Sequence, residues 1–273
     1  MVRCNRTVQS IISTTLSILA TASFLGLGEA IASPFLLSAT AAELEDIQER
    51  GFLIVAVKDN VRPLGFRTDQ GELTGFEIDI ARQLAIELFG TPDALMLRPV
   101  NNRDRLSVLL DEEVDMVIAQ LNRTDARSRL VDFSTPYYLD GVGFITQDSR
   151  IQSFPDLADS TIAVLNNSTT IAVVRSLLPD VNLIGADSYQ DALGILESGE
   201  ANVFASDATI LAGWSQEYPN YRVLTSLISA DALAIAMPRG LQYEDLRQTI
   251  NTAIERWHQD GWLQERETHW GLP

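Results

Sequence analysis

Cysteine is nearly absent: the 273-residue chain carries one, Cys4, together with only two histidines, His258 and His269. A lone cysteine excludes an internal disulfide framework and a thiolate metal site. Cys4 precedes the apolar amino-terminal run rather than following it, so lipid attachment at a processed cysteine is not expected either. The two imidazoles stand beside Trp257 and Trp270 with no clustered partners in sequence, which gives neither a zinc site nor a Ser-His pair. Positive charge is also scarce, 20 Lys and Arg against 37 Asp and Glu, for a net charge of −17 at pH 7. Such a polyanion repels nucleic acid and anionic lipid. A phosphate loop, a dinucleotide fingerprint and a Gly-x-Ser-x-Gly elbow are missing as well. No cofactor, metal or catalytic constellation is expected, and the chain is not read as an enzyme.

What is present begins with an export signal. Arg3 and Arg6 form a basic start, Ile11 to Leu27 carry no charge, and Ser38-Ala39-Thr40-Ala41-Ala42 supply the small residues of a cleavage site. Residues 1–42 are read as a secretory signal, the alternative being an uncleaved membrane anchor, since the apolar run approaches the length of a span. Ser10, Ser13, Thr14, Thr15 and Ser17 dilute that run and favour removal. Nothing after residue 42 is long and apolar enough to cross a membrane.

Beyond residue 50 short apolar runs alternate with amphipathic ones. Strands are predicted at Phe52 to Val57, Leu95 to Val100, Val114 to Ala119, Thr161 to Leu165 and Asn202 to Ala205. Helices are predicted at Phe76 to Phe89, Asp104 to Leu110, Thr169 to Leu178 and Tyr189 to Glu197, with Phe76, Ile80, Leu84 and Leu88 sharing one face of the first. A further helix carries Leu246, Ile250, Ala253, Ile254 and Trp257 on one face and breaks at Gly261. This rhythm argues for an α/β fold with parallel sheets. The stretches Gly141 to Thr146 and Ala232 to Met237 are read as two crossings, giving residues 43–144 plus 235–273 as one lobe and 145–234 as the other. Periodicity alone also fits one continuous α/β domain.

Several segments in order then carry a resemblance. They are Arg62 to Arg67, Gly71 to Ala81, Asn102-Arg103, Val114 to Ala119, Thr124 to Arg127, Val131 to Tyr138, Gly199 to Val203 before Asp207, and Gly261-Trp262. Together they resemble the family 3 solute-binding proteins of polar amino acid ABC transporters. The resemblance implies a two-lobed periplasmic-binding-protein fold of type II, joined by two crossover hinge strands and closing on ligand in the cleft. It also implies a periplasmic location, a free amino acid as ligand and a membrane permease as partner. A monomer suits a protein that must hinge freely.

The same resemblance assigns roles. Arg127 falls where the family keeps its carboxylate-binding arginine, and a planar guanidinium suits a carboxylate with two parallel hydrogen bonds. Thr124 precedes it with a hydroxyl and an N–H. Asp207 takes the position of the ammonium-binding aspartate, and as the residue before a helix it also suits an N-cap. Gln120 and Asn122 stand where the family has smaller residues. Ser168 and Thr169 open a helix of the second lobe, whose free N–H groups favour an anion. The family glycine expected near Asn167 is absent. Lys58 and Arg103 resemble the pattern of members that bind acidic amino acids, each offering a cation to a side-chain carboxylate. Tyr189 adds a hydroxyl. Arg103 also has Asp104, Asp111 and Glu112 within reach as ordinary ion-pair partners. Aspartate or glutamate is therefore the expected ligand, with glutamine or another polar amino acid as the alternative. Outside binding, an enzyme similar to periplasmic dehydratases of cyclic amino acids and a sensor domain are the other readings.

Overall fold

The computed structural model describes residues 43–166 and 168–273, so the expected signal or anchor and Asn167 lie outside the described residues. Two five-stranded sheets organise the chain. In the first, strands run in the order Leu95–Pro99, Leu53–Val57, Met116–Ile118, Asp231–Met237, Asp132–Asp140. The first three are mutually parallel and the last two are added antiparallel. The second sheet repeats the plan, with Asn182–Ala186, Thr161–Leu165 and Val203–Asp207 parallel. Val142–Thr146 and Arg222–Val223 then follow antiparallel. A small sheet of Asn60–Val61, Gly65–Arg67 and Leu73–Thr74 sits beside the first.

Burial on both faces explains why the inner parallel strands, Leu53–Val57, Met116–Ile118, Thr161–Leu165 and Val203–Asp207, read as continuous apolar runs. Along Leu53–Val57 the side chains of Leu53, Val55 and Val57 enter one core, shared with helices Phe76–Phe89 and Glu244–Asp260. Ile54 and Ala56 enter another, with Val108, Leu109, Val117 and Ala119. The predicted stripe Leu246, Ile250, Ala253, Ile254 and Trp257 is buried along its whole length. In the second sheet Ile162 and Val164 pack with Val142, Phe144 and Val174, while Ala163 packs with Ile145, Phe204 and Trp214 on the opposite side.

The differences from expectation are local. The helix predicted over Asp104 to Leu110 is confined to Ser107–Leu110. Residues 102–106 instead form turns that point Arg105 inward, its Nε donating to the Asn102 carbonyl at 3.3 Å and its Nη1 to the Ala119 carbonyl at 2.8 Å. The nine-residue strand Asp132–Asp140 was masked in the sequence by Pro136. Proline cannot donate to a ladder, and the pairing with Asp231–Met237 shifts register on either side of the Pro136–Ala234 pair.

The chain leaves the first sheet at Asp140, passes Gly141 and enters the second sheet with Val142–Thr146. It returns through residues 224–230 to Asp231, which pairs with Asp140, so the two passages run side by side. The expected lobe limits at 144/145 and 234/235 each fall inside a strand. Gly141 is required by this close approach: a Cβ there would meet the Ser229 carbonyl oxygen at 2.2 Å. Asp140 pins the passage, accepting from the Thr209 hydroxyl at 2.6 Å and from the N–H groups of Gly141 and Thr209.

Candidate functional site

Ligands of open α/β sheets bind beyond the carboxyl ends of the parallel strands, and most of the candidate residues stand there. Lys58 follows Leu53–Val57, Gln120 follows Met116–Ile118, Ser168 follows Thr161–Leu165, and Asp207 ends Val203–Asp207. Among the described residues one hydrogen bond joins the two halves at this level: Gln120 Nε2 donates to Asp207 Oδ2 at 3.3 Å.

The first-sheet half is tightly wired. Arg127, half-buried in the 3-10 turn Arg127–Arg129, donates through Nη1 to the Asn122 carbonyl at 2.9 Å and also to the Asn122 side-chain oxygen. Its backbone N–H donates to the Thr124 hydroxyl at 3.3 Å. These bonds fix the guanidinium plane from one edge and use only one of its nitrogens. Burial holds its pKa below the ordinary arginine value. Gln120 has φ of 50°, a left-handed backbone that few non-glycine residues adopt. It is clamped there by Glu77, whose Oε1 accepts its N–H at 2.6 Å, and by Arg105, which donates to its carbonyl.

Lys58, the chain's single lysine, is 3 % exposed and donates to the Val100 carbonyl at 3.0 Å. Burial first, then the Arg105 charge, lowers its pKa. Arg103 is exposed and forms no ion pair among the described residues, so Asp104, Asp111 and Glu112 do not hold it. Lys58 and Arg103 line one open depression of about 550 Å³ with Asn60, Asn101, Asn102 and Asp104.

In the second half Asp207 precedes helix Ala208–Glu217 but makes no side-chain cap bond to it. Burial, followed by the nearby Asp140 and Asp231 carboxylates, pushes its carboxyl up to about 7, with Arg105 acting in the other direction. A carboxylate crowded by two others is suited to a cation. Tyr189 packs edge-on against Phe204, their ring centroids 6.3 Å apart. Burial and then Asp207 push its phenol up to about 12. It also lines a cavity of about 220 Å³ bounded by Asn60, Val61 and Arg62 on one side and Gly213, Trp214 and Glu217 on the other. Ser168 has a buried hydroxyl without a hydrogen-bond partner among the described residues, and Thr169 is exposed ahead of helix Thr170–Leu177 without capping it. No hydrogen bond links Ser168 or Thr169 to the other candidates among the described residues.

Sequence reasoning missed Arg105 and Glu77. Arg105 is 9 % exposed and lies in the fields of Arg127, Glu77 and Asp207, whereas Arg103, two positions earlier, faces outward at the rim. Only the turn over 102–106 distinguishes them, and a short helix had been expected there. Glu77 did leave a signal: it shares the buried face of its helix with Ile80, Ala81 and Leu84, where a charge is costly.

A two-lobed α/β protein with its polar residues gathered at strand ends between the lobes is a ligand-capturing architecture. The chain belongs to the bacterial extracellular solute-binding proteins, family 3, whose model matches residues 53–273. Members of this family serve polar amino acid ABC transporters. A glutamine-binding protein of Geobacillus stearothermophilus is 33% identical over 201 residues, covering 72% of this chain and 77% of its own. A glutamate-binding protein of Corynebacterium glutamicum is 29% identical over 227 residues, covering 79% and 77%. Among solved structures, an ancestral cationic amino acid solute-binding protein superposes with a TM-score of 0.73 at 25% identity, covering 84% of this chain and 99% of its own. A solute receptor for L-cysteine of Neisseria gonorrhoeae superposes with a TM-score of 0.67 at 28% identity, covering 85% and 94%. Family members act outside the cytoplasm, and among the described residues no helix is long and apolar enough to cross a membrane.

Proposed function

We propose that this protein captures a free acidic amino acid, aspartate or glutamate, outside the cytoplasmic membrane and delivers it as a closed monomer to an ABC permease. Arg127 takes the ligand's main carboxylate, with Asn122 holding the guanidinium and the Thr124 hydroxyl holding the backbone N–H. Asp207 takes the ammonium, assisted by the carbonyl or amide of Gln120. The observation that carries the acidic reading is the set of cations beyond Arg127. Lys58 and Arg105 are buried behind the same strand ends, and Arg103 stands free at the rim. A second ligand carboxylate would be costly to desolvate without such partners. Ser168, Thr169 and Tyr189 complete the site from the second lobe, which closes by bending at Gly141 and at Ser229 to Asp231. Binding and release without chemistry is the reading, in keeping with relatives that are binding proteins.

Glutamine is the second reading, favoured by the relative that is 33% identical. Isothermal titration of the purified protein, stripped of ligand, against the twenty amino acids separates the two. Tight binding of glutamate or aspartate, weakened at least tenfold by Arg105→Ala with glutamine less affected, supports the acidic reading. Binding of glutamine alone overturns it while keeping the amino acid site. Turnover of a cyclic amino acid by the protein would replace both with the dehydratase-like reading. Tight binding with no transport through any permease would favour a sensor.

A further inference from the structure

Glu77 sits on the buried face of helix Phe76–Phe89 and is 0 % exposed. Taking a carboxylate out of water costs several kcal/mol, so its retention implies compensation. Two hydrogen bonds compensate, from the Gln120 N–H and from the Tyr137 hydroxyl, each 2.6 Å. Both reach the same oxygen, Oε1. The other, Oε2, is buried and has no hydrogen-bond partner among the described residues. A neutral amide in this place would accept both bonds through its single carbonyl oxygen. Hydrogen bonding to Gln120 and Tyr137 therefore explains one oxygen and leaves the choice of a carboxyl over an amide unexplained.

Burial pushes the Glu77 carboxyl up, opposed by the hydrogen bonds from Tyr137 and Gln120 and then by the fields of Arg105 and Lys58, the two cations that favour its ionised form. In an amino acid site, Arg127 answers the ligand's main carboxylate and Asp207 its ammonium. Of the buried cations, Lys58 and Arg105 then remain against Glu77, an excess of one positive charge to which the exposed Arg103 at the rim adds. Without Glu77 that excess would be larger by one.

We propose that Glu77 is a specificity-determining residue that clamps the left-handed backbone of Gln120 and sets the net charge offered to the ligand's side chain. This rests on the reading of Arg127 and Asp207 as the amino acid site. Glu77 acts through Gln120, Lys58 and Arg105 rather than by touching the ligand. The groups facing it are Lys58 at the end of Leu53–Val57, Arg105 in the turn over 102–106, Tyr137 in strand Asp132–Asp140, and the Gln120 N–H.

The test is the ratio of the dissociation constants for L-glutamine and L-glutamate, measured by titration calorimetry in the wild type and in Glu77→Gln, with thermal unfolding of both. Removing the negative charge should raise this ratio in favour of glutamate by at least about tenfold, the effect of a unit charge about 12 Å away at an effective dielectric near 20. Equal weakening of both ligands, with the ratio unchanged, assigns Glu77 a packing role alone and overturns the proposal. The shift is readable whatever the wild type prefers. A wild type that selects glutamine sinks the acidic reading above and leaves this test standing. Where Glu77→Gln does not fold, Tyr137→Phe reads the same charge. Loss of the hydroxyl donor makes the Glu77 carboxylate easier to protonate, so the preference for glutamate should climb on acidification at a higher pH than in the wild type. Coincident pH profiles for the ratio overturn the proposal.

Discussion

The two halves of the cleft are built from the same sheet plan and furnished differently. Around the first sheet the candidate residues are held by a connected set of hydrogen bonds. Glu77 and Arg105 clamp Gln120, Asn122 holds Arg127, and Val100 holds Lys58. Around the second sheet the polar groups are loose. Asp207 leaves its helix uncapped, and Ser168 has a hydroxyl without a partner among the described residues. Rotamers locked by surrounding bonds cost little entropy on binding. On the proposed reading of Arg127 and Asp207 as the amino acid site, the first half would be the pre-set receptor and the second would supply charge when the lobes meet.

The largest expected effect tests the first half. Arg127→Ala should weaken every amino acid ligand by about a hundredfold or more, because it strands a carboxylate in a partly buried site. Titration calorimetry checks it. A loss confined to acidic ligands would move Arg127 from the main carboxylate to the side chain and break the comparison as drawn.

The second half should be the pH-sensitive one. The Asp207 carboxyl sits near 7 in the fold, raised from its ordinary value by burial and by Asp140 and Asp231. Native protein then holds a proton that unfolded chain has released, so ligand-free stability falls as pH rises from about 4 through about 7. A ligand ammonium favours the ionised form, and binding should expel that proton. Affinity is expected to rise from about pH 5.5 to about pH 8 by roughly thirtyfold, and to lose this slope in Asp207→Asn. Calorimetry in buffers of different ionisation enthalpy counts the proton directly. A slope that persists in the variant would assign it to another group.

What the sequence revealed divides along the same line. Strands such as Leu53–Val57 and Thr161–Leu165 were legible as apolar runs because both faces are buried, and helix Phe76–Phe89 because its apolar stripe follows one buried face. Arg127 and Asp207 became candidates only through resemblance, since a lone arginine or aspartate carries no periodic signal. Arg105 was not legible, because a turn rather than a helix aims it inward while Arg103 points out. The strand Asp132–Asp140 was hidden by a proline that the sheet accommodates with register shifts. Pairings of this kind are decided by distant segments and leave little trace in a local window.

The smallest of these effects concerns the join between the halves. Helix Ala208–Glu217 of the second half lies against the Asn60–Val61 hairpin, where Arg62 faces Glu217 at 3.7 Å across an exposed gap. That ion pair is worth little in water. Gly213 matters more, since a Cβ there would meet the Arg62 carbonyl oxygen at 2.1 Å. Backbone cannot yield as a flexible side chain does, so Gly213→Ala should hold the helix off the hairpin at this contact. The clash is between halves rather than within either core. The melting temperature of the ligand-free protein should therefore change little, while affinity falls by about threefold to tenfold, the lower range of overpacking penalties. A faster dissociation rate with an unchanged association rate would place the loss in the closed state, after the ligand has met the pre-set half. A slower association rate instead would mean that the second half takes part in first capture, and the division of labour between the sheets would have to be redrawn.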